Sequence, residues 1–148
     1  MSQFAGRIRP LAPHDRPAWD RLWAGYLAFY EADLAPEVTE ATWTRLLYAD
    51  AAMFALVAEQ DGAVIGIVHC VLHPATWSTG PYCYLEDLFV DPAVRGSGAG
   101  RALIEAVYAH ADAAGAARVY WLTARDNAQA RALYDQVASV SDFVQYRR

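Results

Sequence analysis

Lysine is absent: all 12 basic residues of this 148-residue chain are arginine. That excludes a lysine Schiff base and a P-loop lysine. Cysteine is scarce, with only Cys70 and Cys83. Two such thiols are expected to be buried and free in a reducing compartment, and they pair only if their strands pair. No apolar run approaches the ~20 residues a membrane helix needs. The opening residues, MSQFAGRIRPLAPHDR, lack the apolar core of a secretory signal. A cytoplasmic protein with no membrane partner is expected. Basic charge is also short: the net charge is −5. That argues against a nucleic-acid partner, since a basic face supplies most of such affinity, and suits a cationic or small neutral one. Metal-ligand clusters are missing too. His69, Cys70 and His73 form one short group, but on a strand Cys70 points away from both histidines. No metal site is expected.

What is present is an ordinary globular composition, 55% hydrophobic and 20% charged. It suits a single domain spanning residues 1–148. Ile8 to Leu11 reads as a strand. Trp19, Trp23, Tyr26 and Tyr30 recur at i, i+4, i+7 and i+11, which predicts a helix from His14 to Asp33. Asp15 is a candidate cap, and Pro17 sits in the first turn. Pro36 ends this region, and a second helix runs from Thr39 to about Tyr48. Met53–Gln60 and Ala63–His73 read as strands joined by Asp61-Gly62, a strong hairpin signal. Tyr82–Val90 is the next strand. A long helix follows from about Ser97 to Ala114, stopped by Gly115. A strand over Ala117–Ala124, a helix over Asn127–Ser139 and a closing strand over Asp142–Arg148 complete the chain. The expected fold class is α/β (α+β), a mixed sheet with about four helices on it.

The segment VRGSGAGR, Val94 to Arg101, lies between a strand and a helix. Glycines let a bulky group approach the backbone, and a helix N-terminus attracts an anion. Arg95 and Arg101 can add bidentate donors. The natural guest is a phosphate or pyrophosphate. The spacing G-x-G-x-G fits neither a Walker A loop nor a dinucleotide fingerprint.

RGSGAG followed by RALIEAV resembles the acyl-CoA pyrophosphate loop of the GNAT N-acetyltransferase superfamily, whose pattern is Q/R-x-x-G-x-G/A. Arg95, Gly98 and Gly100 fill its positions, and YLEDLFVDP and NAQARALYD match flanking motifs. The likeness covers most of the chain and is most akin to the branch of polyamine/diamine, yeast histone-type and D-amino-acid acetyltransferases. It implies a mostly antiparallel sheet that splays at the cofactor site. It also implies acetyl-CoA as cofactor, held by Leu88, Phe89 and Val90, by Arg95, Gly96, Ser97, Gly98, Ala99, Gly100 and Arg101, and by Asn127 and Ala130. Tyr134 would be the general acid for the departing thiolate. Glu86 would be the base that deprotonates the amine. Glu86 and Asp87 are adjacent, so they face opposite sides of the strand unless a bulge intervenes.

An aromatic and acidic pocket favours an amine acceptor. Tyr26, Tyr30, Glu86, Asp87 and Trp121 are the candidate residues for it, though the Trp19–Tyr30 stripe also suits core packing. The expected reaction is direct attack by a small-molecule primary amine in a ternary complex. Acetylation of a protein lysine or N-terminus, or CoA binding without turnover, are the alternatives. The segment VASVSDF replaces the Gly-Phe that many members carry after the last helix. A short terminal segment of this kind suggests a homodimer.

Overall fold

The computed structural model describes residues 3–49 and 52–148. Five strands form one sheet in the order β1-β2-β3-β4-β5. They are β1 (Arg7–Pro10), β2 (Met53–Gln60), β3 (Ala63–His73), β4 (Tyr82–Val90) and β5 (Arg118–Tyr120). The first four pair antiparallel, and β4 pairs parallel with β5. Helices α1 (Arg16–Phe29) and α2 (Pro36–Thr44) cover one face. Helices α3 (Ala99–Ala113) and α4 (Ala128–Val137) cover the other. This is the mixed, mostly antiparallel α/β fold that the sequence implies.

Local chemistry explains where the elements stop. Asp61 and Gly62 have φ of +52° and +78°, the two left-handed residues a type I′ hairpin requires. At the end of α3, Ala116 N–H bonds Ala111 O and Gly115 N–H bonds Asp112 O, a Schellman stop with Gly115 in the left-handed region. The same pattern ends α1: Ala32 N–H bonds Leu27 O and Glu31 N–H bonds Ala28 O. There the left-handed residue is Glu31, which carries no glycine signal. The helix therefore ends before Asp33.

Several expectations need correction. Pro36 opens α2 rather than closing the preceding region, because proline fits the first turn of a helix. Beyond Thr44 the chain makes a π-helical turn, Arg45–Ala49. β5 ends at Tyr120 rather than continuing to Ala124. The expected closing strand over Asp142–Arg148 does not form; Val140, Phe143, Val144 and Tyr146 stay exposed. A three-residue β5 offers little edge for another strand to pair with.

Asp15 does not cap α1 with its side chain. Its buried carboxylate instead accepts two hydrogen bonds from Arg9, at 2.8 and 2.9 Å, and one from Ala12 N–H at 2.8 Å. The Arg9 bond holds this carboxyl below its usual value of 3.8. Its stabilisation is therefore present above the unfolded-state pKa and is lost as pH falls through the lowered folded value. Asp15→Asn should cost about 1.5–3 kcal/mol at neutral pH. It should also flatten the acid side of the stability curve, which urea unfolding across a pH series would show.

The core divides by sheet face. Leu56, Val68, Cys70, Cys83, Leu85, Leu103, Ile104 and Val107 pack beneath α3. Trp19, Leu22, Trp23, Trp43, Val57 and Ile67 pack beneath α1 and α2. Cys70 and Cys83 are free thiols on paired strands, offset so that Cys70 faces Leu85 and Cys83 faces Leu72. The neighbouring Cys83 sulfur and burial push the Cys70 thiol up, so it makes a poor nucleophile.

Candidate active site

The site begins at an irregularity in β4. His69 pairs with Asp87, but Cys70 pairs with Leu85. Glu86 is therefore the extra residue of a β-bulge, and it shifts side-chain parity by one. Cys83 and Leu85 point into the α3 core, as do Leu88 and Val90. Asp87, which strict alternation would place on that apolar face with Cys83 and Leu85, instead lies on the α1 side against His69.

The carboxylates on this stretch differ in environment. The Asp87 Oδ2 lies 3.0 Å from His69 Nδ1. The Glu86 carboxyl is pushed above its ordinary value, first by partial desolvation and then by the Asp87 charge. The aromatic stripe of α1 runs toward them. Trp19 and Trp23 stack with ring centroids 5.8 Å apart, Trp23 and Tyr26 at 5.4 Å, and Tyr26 meets Tyr30 at 5.0 Å. Exposure rises along the stripe from 0% at Trp19 to 44% at Tyr30. Its buried end is core and its open end is wall. Burial and the facing Asp87 carboxylate raise the Tyr26 phenol pKa.

Further aromatics extend this wall along β4 and β5. Tyr84 and Tyr120 stack at 4.9 Å, and the Tyr120 hydroxyl lies 2.7 Å from His73 Nε2. Sequence reasoning left His73 and Tyr120 out of the acceptor set. The sequence shows that His73 shares a strand face with His69, whereas Tyr120 joins the set only through its register with Tyr84 in the folded sheet.

The second half of β4 opens an edge. Its pairing with β5 covers Tyr82–Tyr84 only, against Arg118–Tyr120. Leu85–Val90 bonds β3 on one side and leaves the other edge clear of β5. Leu88, Phe89 and Val90 lie on this free stretch. Such an edge can accept an extended ligand in sheet fashion.

At the end of β4 the glycine segment turns into α3. Gly96 and Gly98 both have φ of +87°, and Gly98 is the N-cap. A Cβ on Gly96 would meet nothing within 4 Å, so this backbone faces open space. Ser97 Oγ accepts from Ala99 N–H at 3.3 Å. On Gly100 a Cβ would sit 3.4 Å from Leu133, so the start of α3 lies close against α4. Gly96 and Gly98 flank Ser97, whose N–H bonds Val94 O at 3.2 Å, and the turn delivers the chain into the N-terminus of α3, where the helix dipole favours an anion.

Arg95 borders this loop, with its guanidinium 3.2 Å from Gln129 of α4. It also lines a cavity of about 460 Å³ with Arg21, Gly25, Phe29, Phe89 and Asp91. Gly25 is tightly determined there: a Cβ would lie 2.9 Å from the Phe89 ring. Arg101 bonds Glu105 and Gln136, which directs it along α3 toward α4.

Helix α4 supplies the remaining candidates. Asn127 is its N-cap; its Oδ1 accepts from Ala130 N–H at 3.4 Å and its amide donates to Thr123 at 3.3 Å. Ala130 is half-buried in the first turn. Tyr134 meets Trp121 edge-on at 5.4 Å. Trp121 packs with Tyr108 and Tyr134 in the α3 cluster, away from the α1-side core that Tyr26 packs against. Burial and the nearby Tyr30 raise the Tyr134 phenol to about 12.

The chain's similarities accord with this geometry. The sequence model of the acetyltransferase (GNAT) family matches residues 18–138. D-amino-acid N-acetyltransferase HPA3 of Saccharomyces cerevisiae is 35% identical over 143 residues, covering 95% of this chain and 89% of that protein. Ribosomal-protein-alanine N-acetyltransferase from Brucella melitensis biovar Abortus 2308 has a crystal structure similar to this one. The TM-score is 0.78 at 26% identity, covering 97% of this chain and 98% of that one. The aminoglycoside N-acetyltransferase AAC(6')-Iy, solved in complex with CoA, shares the fold with a TM-score of 0.73 at 21% identity, covering 96% and 98% of the two chains.

Proposed function

The chain belongs to the GNAT acetyltransferase family and is an N-acetyltransferase, and we propose that it moves the acetyl group of acetyl-CoA onto a primary amine of a small molecule. The acceptor class is amino-acid-like, diamine or polyamine. The observation that carries the reading is the bulge at Glu86, which brings Glu86 and Asp87 to the aromatic α1 side beside the open β4 edge. The donor set also suits coenzyme A: N–H groups and Arg95 for the pyrophosphate, and the Leu88–Val90 edge for an extended amide arm. The resemblance to a D-amino-acid acetyltransferase supports a small acceptor.

Bound acetyl-CoA supplies a thioester carbonyl that an amine can attack. The protein's own groups do the rest. Asp87 and the rings of Tyr26 and Tyr84 attract the acceptor's ammonium group. Glu86, with its raised pKa, takes a proton from that nitrogen, directly or through one water, and so exposes its lone pair. A backbone N–H in Leu88–Val90 polarises the carbonyl oxygen. Tyr134 Oη donates to the departing sulfur. Holding both reactants in one cleft supplies part of the rate by proximity. The exposed residues of the C-terminal segment, Phe143 and Tyr146 among them, are where a homodimer would form.

Calorimetric titration with acetyl-CoA, followed by a screen of amino acids, diamines, polyamines and basic peptides, tests the reading. Transfer to small amines supports it. Transfer to peptides alone assigns protein acetylation instead, and tight binding without transfer assigns a CoA-binding module. The base has its own signature. Activity should rise with pH as Glu86 loses its proton, on a limb displaced above the ordinary carboxylate value of 4.5. Glu86→Gln should remove that limb from the kcat/KM profile and lower its plateau by about 10²-fold.

A further inference from the structure

His69 is 3% exposed, yet it reaches the acceptor side of the sheet through Asp87. Its two ring nitrogens have different partners. The Trp19 indole N–H lies 3.0 Å from Nε2, and indole nitrogen can only donate. Nε2 therefore accepts, and the ring proton sits on Nδ1, which donates to Asp87 Oδ2 at 3.0 Å. Trp19 and Trp23 flank the ring, with centroids 6.0 and 5.1 Å away. Tautomer and ring angle are both fixed by neighbours.

We propose that His69 is a positioning residue for acetyl transfer: the Trp19–His69–Asp87 chain holds one oxygen of Asp87 so that the other meets the acceptor's ammonium. The inference rests on the amine-acetylation reading above. The bulge at Glu86 makes the chain possible, because without it Asp87 would point into the apolar α3 core. The groups facing the chain are Tyr26 and Trp19 from α1, Glu86 and Asp87 from β4, and Trp43 from α2 against Trp19. Arg16 lies over the Trp19 and Trp43 rings and is paired with Asp20 and Glu40. Besides His69, the Tyr26 hydroxyl reaches the Asp87 carboxylate, so an ammonium group would share that carboxylate with the phenol.

The test compares His69→Leu with His69→Asn. Leucine removes the donor to Asp87, while the asparagine amide nitrogen can occupy the position of Nδ1. His69→Leu should raise KM for the amine by about tenfold or more, with kcat and acetyl-CoA affinity little changed. His69→Asn should recover most of that loss. A purely structural histidine would instead give two variants that lose stability together with no selective change in the amine KM. Nitrogen NMR of the wild type should show the ring proton on Nδ1, the nitrogen that faces Asp87. A proton on Nε2, an unmoved KM in His69→Leu, or equal KM losses in both variants would overturn the proposal. Wild-type protein inactive on every amine would overturn the underlying reading and this proposal together. If His69→Leu does not fold, His69→Asn and the tautomer measurement decide the matter.

Discussion

Tyr134→Phe is expected to lower turnover by about 10²-fold while leaving acetyl-CoA affinity nearly unchanged. The phenol sits among Trp121 and the α3 cluster, and its pKa is raised to about 12 by burial and by Tyr30. That value keeps Oη protonated through the working range, so Tyr134 is always a donor. It is a weaker acid than an ordinary thiol of pKa about 8.5, which places the expected effect at the lower end for general acids. The same desolvation acts on a departing thiolate, raising its proton affinity and narrowing the gap between the two. The hydrogen bond to sulfur therefore strengthens as negative charge develops there, which a phenyl ring cannot match. Phenylalanine keeps the edge-on contact with Trp121, so packing and stability should hardly move. Rapid-mix kinetics with calorimetry would separate the two effects. Unchanged turnover would remove Tyr134 from its role. A second check lies in the pH profile, where no alkaline limb from Tyr134 should appear below about 12.

Elements with strong local signals were legible in the sequence, and those set by neighbours were not. The stripe Trp19, Trp23, Tyr26, Tyr30 announces α1, and β4 spans Tyr82–Val90 as its residues suggest, because periodicity and turn chemistry are local. The end of α1 was hidden because Glu31 occupies the left-handed position where glycine usually signals a stop. Pro36 carried an ambiguous signal, since proline both breaks a helix interior and opens a first turn. The closing strand failed for a tertiary reason: alternation in DFVQYRR cannot reveal that β5 ends at Tyr120. The site divides in the same way. The left-handed turn into α3 is written in RGSGAG, where Gly96 and Gly98 supply the positive φ that the turn needs. The bulge at Glu86 is a matter of register between β3 and β4, and adjacency alone left open which face each carboxylate would take. His69 looked like a stray histidine beside Cys70. Its role depends on Trp19, 50 positions away in sequence.

Replacing Gly98 with aspartate should abolish measurable acetyl-CoA binding in a protein that still folds. Gly98 has φ of +87° and caps α3. Asparagine and aspartate are the non-glycine residues that best tolerate left-handed backbone, and both are favoured helix caps. Gly98→Asn therefore measures backbone and steric cost alone, about 1 kcal/mol of stability and roughly tenfold in affinity. Gly98→Asp has nearly the same shape but sets a carboxylate where the pyrophosphate would lie. Two unit charges ~4 Å apart repel by about 4 kcal/mol at an effective dielectric near 20, or roughly 10³-fold in affinity. The carboxylate would also consume N–H groups at the start of α3 as an internal anion, which should help the free protein fold while it blocks the ligand. The two variants should thus melt within a few degrees of each other and differ sharply in calorimetric titration. Added salt should narrow the difference, because the loop borders open solvent. If Gly98→Asp binds as Gly98→Asn does, the turn between β4 and α3 does not hold a phosphate, and the glycines at 96 and 98 serve only to start the helix.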